Sequence, residues 1–108
     1  MKNLTTTKQS EKTTEHYLTD QVVKSGGLSF KWVSPNNSGV PDRICFFPSG
    51  LIVLIEVKSQ GLKPSPLQAF TFERLGKLGH PVFVVDTKAA VDKLILAIQE
   101  QIQCRLQA

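Results

Sequence analysis

The sequence predicts an α/β domain with a mixed central sheet flanked by helices, and three observations carry that reading. Two runs rich in β-branched and aromatic residues, Asp42–Phe47 and Leu51–Lys58, are separated only by the turn formers Pro48-Ser49-Gly50, which is the pattern of a β-hairpin. The second run leads through a helical segment to the short apolar run Val82–Val85, and a strand, helix, strand order favours a crossover with parallel pairing. Apolar residues recur at helical spacing near both ends of the chain.

A chain of 108 residues suffices for one domain with a modest core and is too short for two. Its 41% hydrophobic and 20% charged content suits a soluble globular fold. The longest apolar run, Leu51–Ile55, falls far short of the roughly 20 residues of a membrane span, and the polar, Thr/Lys-rich start has no secretory pattern. A cytoplasmic address with no membrane partner is therefore expected. Cys45 and Cys104 have neither C-x-x-C spacing nor a His-rich neighbourhood, so both read as core thiols and not as zinc ligands or a disulfide. A net charge of +4 and a pI near 9.3 tilt the expectation toward a polyanionic partner.

Residues 1–9 lack periodicity and read as a mobile tail, leaving 10–108 as the folded domain. Ser10 suits a helix N-cap and Glu11 the first turn beside the helix dipole; the helix should run to about Ser25 and stop at Gly26-Gly27. Glu15, Leu18 and Val22 share one stripe, which puts a carboxylate at the end of the apolar face. That is either the wet end of an amphipathic helix or an acid delivered to a site; His16 lies off the stripe and reads as a surface residue. Leu28–Val33 is the first strand, and a loop of turn formers then brings the chain to Asp42, with Asn36, Asn37 and Ser38 as solvated turn residues or substrate contacts. Leu51–Ile55, apolar throughout, reads as a central strand covered on both faces. Ser65-Pro66-Leu67-Gln68 combines an N-cap, a proline at the first helical position and a capping-box glutamine. That helix should end at Gly79, with Arg74 and Lys77 complementing its dipole. Asp86 or Thr87 then caps a last helix carrying Val91, Leu94, Ile95, Ile98, Ile102 and Leu106.

Hairpin arithmetic singles out a candidate site. With a three-residue loop and Gly50 in the left-handed position, Phe47 faces Leu51, and counting outward sets Asp42 opposite Glu56. Alternation puts Asp42, Ile44 and Phe46 on one face with Ile52, Leu54, Glu56 and Lys58. Like charges about 4.5–5.5 Å apart destabilise a strand pair unless they are neutralised. Hard, oxygen-seeking Mg²⁺, typically held by one or two carboxylates, would neutralise them. The other reading leaves Glu56 and Lys58 as hydrated residues at a strand end. A register shift of one residue would separate the acids.

These features together resemble the PD-(D/E)xK nuclease superfamily, with Pro41-Asp42 and Glu56-Val57-Lys58 as its motif. More closely, the chain resembles the stand-alone VRR-NUC (virus-type replication-repair nuclease) domain: Glu15-His16-Tyr17-Leu18, Gly26-Gly27, Lys31, Ser38-Gly39-Val40-Pro41-Asp42-Arg43, Pro48-Ser49-Gly50, Glu56-Val57-Lys58 and Ser65-Pro66-Leu67-Gln68 occur in that family's order. The resemblance implies a restriction-endonuclease-like αβββαβ core with a C-terminal helix and Mg²⁺-dependent cleavage of DNA phosphodiesters, Mn²⁺ substituting. It implies Asp42, Glu56 and the Val57 carbonyl as metal ligands, and Glu15 completing the acidic set directly or through water. Lys58 would orient or deprotonate the attacking water and offset phosphate charge, and Gln68 would support the site. It further implies a bacterial, phage or other mobile-element setting and a homodimer that cuts branched DNA such as four-way junctions, in the manner of a Holliday-junction resolvase.

Two further functions remain compatible with these residues. One is a DNA-binding or assembly module that keeps the nuclease fold and needs a partner for activity. The other is a nuclease preferring flaps or single strands.

Overall fold

The computed structural model describes residues 8–108; residues 1–7 of the expected tail lie outside the described residues. Its elements follow the predicted order: helix α1 (Glu11–Lys24), strands β1 (Leu28–Lys31) and β2 (Arg43–Phe47), a single tight turn at Pro48–Gly50, strand β3 (Leu51–Val57), helix α2 (Pro66–Lys77), strand β4 (Val82–Val85) and helix α3 (Lys88–Gln107). The strands lie in the order β1-β2-β3-β4. The first two pairings are antiparallel and the last is parallel, so the sheet is mixed.

Local chemistry sets the element ends. Ser10 caps α1 by accepting from the Thr13 N–H, Ser65 caps α2 through a complete capping box, and Thr87 caps α3 by accepting from the Ala90 N–H. β1 stops two residues earlier than predicted. Its register would set Val33 against Pro41, which has no N–H for a further rung. One bond beyond the strand survives, from Trp32 N to Asp42 O at 2.8 Å.

The hairpin turn has Gly50 at φ +76° as the register argument requires, and it also holds Ser49 at φ +68°. Arg105 on α3 reaches back to donate to the Ser49 carbonyl at 3.0 Å, which fastens the turn to the last helix. Gln9, assigned to the mobile tail, is tied down. Its N–H donates to Gln60 Oε1, its carbonyl accepts from Gln60 N, and its side-chain oxygen accepts from Lys88 N at 2.7 Å.

One sheet face carries the core. Cys45, Phe47, Val53, Ile55, Val57 and Val85 are buried against Leu18 and Val22 of α1 and Val91, Ile95, Ile98 and Ile102 of α3. Each such side chain contributes about 1.5–3 kcal/mol on burial. The opposite face is only partly covered, contrary to the expectation for β3: Ile52 is 55% exposed, and coverage improves only toward Glu56. The reason is that α2 sits over the Glu56 end of the strands and leaves the hairpin end bare.

Gly39 fixes where α2 sits. A Cβ there would meet Thr71 Oγ1 on α2, and it would lie 3.1 Å from the Leu67 carbonyl oxygen. The loop before β2 thus presses its bare backbone against the helix. Gly39→Ala is expected to lower stability by about 1–3 kcal/mol, as overpacking does, with part of the loss recovered in Gly39→Ala/Thr71→Ala; urea unfolding of the four-variant cycle measures both.

Candidate functional site

On the face away from the core, side chains form three rows across the sheet. Leu28, Phe46 and Ile52 are register partners, as are Phe30, Ile44, Leu54 and Val82 in the next row. Continuing the β2–β3 register one step sets Asp42 against Glu56, which is paired in turn with Val84. Two rows are apolar and the third is acidic.

Asp42 and Glu56 each lock onto the backbone of the neighbouring strand segment. The Asp42 N–H donates to Glu56 Oε1 at 3.0 Å, and the Val57 N–H donates to Asp42 Oδ2 at 3.0 Å. Glu56 is 1% exposed, and Lys58 Nζ stands 3.1 Å from its Oε2. Gln68 closes the cluster: its Nε2 donates to Glu56 Oε2 at 2.8 Å, while its Oε1 accepts from Lys58 Nζ at 2.8 Å and from the Ser65 N–H at 3.0 Å. The capping-box glutamine is therefore also the clamp that orients the lysine and the buried acid.

Burial raises the Glu56 carboxyl above the ordinary 4.5, and the charge of Asp42 raises it further; Lys58 and Gln68 offset part of this. A hard cation would relieve the same penalty, and the donor set of two carboxylates and backbone oxygen suits a divalent ion. Among the described residues no group of three or more His, Cys, Asp or Glu side chains is gathered to hold an ion. Asp42 and Glu56 form a pair.

The expected third acid, Glu15, is engaged elsewhere. Its Oε2 lies 2.6 Å from Arg43 Nη1 and 3.6 Å from Lys31 Nζ. Arg43 follows Asp42 and points to the other face, where its Nε donates to Ser29 Oγ at 2.7 Å. Asp42 and Arg43 thus send opposite charges to opposite faces.

Glu11, read from the sequence only as a dipole residue, also belongs to this neighbourhood. Burial raises its carboxyl, the charge of Asp42 does so next, and Lys58 acts in the other direction. The signal was its i, i+4 spacing with Glu15 on the same helical stripe. Other expectations away from the acids fit surface or structural roles. Asn37 Oδ1 accepts from the Gly39 N–H within the loop, His16 is exposed beside Asp20, Arg74 lies over the Phe70 ring, and Lys77 pairs loosely with Glu73.

No family model matches the chain. It is 44% identical over 78 residues to "Putative nuclease p44" of Acyrthosiphon pisum secondary endosymbiont phage 1, a match covering 72% of this chain and 84% of that protein. A solved structure described as a VRR_NUC domain superposes with a TM-score of 0.76 at 36% identity, covering 81% of this chain and 95% of that one. With the fold, the register of the two acids and these likenesses in agreement, the chain belongs to the VRR_NUC family of nucleases.

Proposed function

We propose that the chain is a divalent-metal-dependent, structure-selective DNA endonuclease that acts as a homodimer on branched DNA, four-way junctions included. The observation that carries the reading is the Asp42–Glu56 pair, buried on one side and bridged by Lys58 and Gln68. Mg²⁺, or Mn²⁺ in its place, would be held by Asp42, Glu56 and the Val57 carbonyl, and Glu15 would join directly or through water only by giving up its pairing with Arg43.

When bound, such an ion lowers the pKa of a water and neutralises charge on phosphoryl oxygens. The chain's own residues contribute the rest. Lys58 Nζ, held by Glu56 Oε2 and Gln68 Oε1, is a fixed point charge at the phosphate and a donor that orients the attacking water. Gln68 keeps that ammonium and the Glu56 carboxylate in register. Glu56, accepting from the Asp42 N–H, and Asp42, accepting from the Val57 N–H, are each tied to the other's strand and so supply a pre-aligned pair of oxygen donors. A site of this kind reads phosphate geometry and not base edges, which suits selection by DNA shape. One site cuts one strand, so paired nicks across a junction call for two-fold symmetry.

The reading is tested on labelled four-way junction, flap and linear duplex with Mg²⁺ or Mn²⁺. Symmetric paired nicks are expected in the junction. Asp42→Ala and Glu56→Ala are expected to lower cleavage by at least about 10²–10³-fold while leaving DNA binding intact. Binding by the wild type with no cutting in either metal would instead favour an assembly module; cutting confined to flaps or single strands would favour the other nuclease.

The raised Glu56 carboxyl gives two pH effects of opposite sign. Protons compete with Mg²⁺ for that group, so Mg²⁺ affinity measured by calorimetry is expected to fall as pH drops from neutral toward 4.5, and to begin falling above that value. In metal-free protein the same carboxyl binds its proton more tightly folded than unfolded, so its contribution is unfavourable above the folded pKa and is relieved as pH falls through it. Thermal unfolding is therefore expected to shift in favour of the wild type, relative to Glu56→Gln, on acidification toward 4.5.

A further inference from the structure

The bare part of the sheet lies next to the acidic row and on the same face. Leu28, Phe30, Phe46 and Ile52 are 58%, 54%, 41% and 55% exposed, and they adjoin one another through the register pairs already described. Phe30 and Phe46 meet edge to face, centroids 6.0 Å apart at 65°, so each ring holds the other in place. With the half-buried residues between them, this face offers on the order of 500 Å² of contiguous apolar surface, taking about 150–250 Å² for a whole aromatic side chain. The largest patch on a single chain typically spans about 300–600 Å² and is often functional.

From this geometry we infer that the bare face is the surface on which a second copy of this chain docks. The inference deepens the dimeric reading above and rests on it. The area is one argument: a standard interface buries about 800 Å² per partner, of which roughly two-thirds is apolar at the core, and the patch supplies that share. Charge is another. An isologous contact brings a patch against itself, which any charged patch would resist; the two apolar rows contain no Asp, Glu, Lys or Arg. The same neutrality argues against DNA as the occupant, because phosphate contacts need cations.

The position of the patch gives the dimer a use. Glu56 lies four residues along β3 from Ile52, about 13 Å at roughly 3.3 Å per residue. A two-fold axis through the patch therefore places the two acidic rows symmetrically beside one interface, so that each copy acts on one strand of a two-fold symmetric substrate.

The test uses the full chain in analytical ultracentrifugation at micromolar concentration, with thermal unfolding as the check on folding. The wild type is expected at twice the 12.0 kDa chain mass. Ile52→Lys and Phe30→Lys are expected to be folded monomers, their dimer dissociation constants raised at least 100-fold. Ile52→Thr, which keeps the β-branch, gives an intermediate shift if a lysine variant fails to fold. Leu106→Lys, an equally exposed apolar position at the end of α3, should stay dimeric. Nicking per chain, measured in parallel on nicked-product gels, separates this inference from the nuclease reading: monomeric variants should still nick but lose paired cuts.

A wild type that nicks DNA at the mass of one chain would overturn the docking surface and leave the nuclease standing. A dimer broken by Ile52→Lys with no cleavage in either metal would do the reverse. Lysine variants that stay dimeric would move the interface elsewhere. Loss of oligo-dT binding in Phe30→Lys at unchanged mass would assign the aromatic pair to base stacking and sink the proposal.

Discussion

Everything at the acidic row depends on the pairing of β2 with β3. The constant register from Phe47↔Leu51 to Arg43↔Ile55 brings Asp42 beside Glu56, and two reciprocal hydrogen bonds then join each carboxylate to the other's strand. In an antiparallel pair a shift of one residue turns every side chain to the other face, so no partial version of this arrangement exists. The turn is accordingly reinforced. Gly50 supplies the left-handed conformation, and Arg105 holds the Ser49 carbonyl from a helix that otherwise has no part in the site.

A like-charged pair in a nearly dry location is an expensive arrangement, and the surrounding groups show how it is supported. Lys58 compensates charge, and Gln68 compensates hydrogen bonding, donating to Glu56 with one end of its amide and accepting from Lys58 with the other. No buried side-chain nitrogen or oxygen among the described residues lacks a partner. The Asp42 carboxylate accepts from the Val57 N–H at Oδ2 and is partly open to solvent, which makes it the accessible half of the pair. Electrostatic strain is thus concentrated on Glu56, the buried member of the pair.

The hairpin, the helix caps and the acidic pair were legible because each depends on short-range rules: turn length, the period of two and the capping residues. What lay beyond the sequence depended on neighbours distant along the chain. Leu51–Ile55 is apolar at every position whether a second layer covers it or not, so the bare hairpin end of the sheet carried no distinguishing mark. Glu15 shares its stripe of α1 with the buried Leu18 and Val22, as its spacing predicts. Its engagement with Arg43 is not legible, because it requires α1 to pack on the sheet face opposite Asp42, to which alternation turns Arg43. Pinning of Gln9 was equally hidden, since its partners at Gln60 and Lys88 are more than fifty residues away.

One feature of α2 ties folding to chemistry in an unusually direct way. The amide of Gln68 satisfies the helix's first turn through the Ser65 N–H and, with the same oxygen, holds the Lys58 ammonium. Fraying of that turn and loss of the Gln68 hold on the lysine are consequently coupled, leaving Lys58 on Glu56 Oε2 alone. The opening free energy of the α2 start, the quantity that amide exchange reports, then also sets the fraction of time the lysine is held from both sides. Substitutions anywhere in the cap, Ser65 and Pro66 included, would tune that fraction without touching a carboxylate.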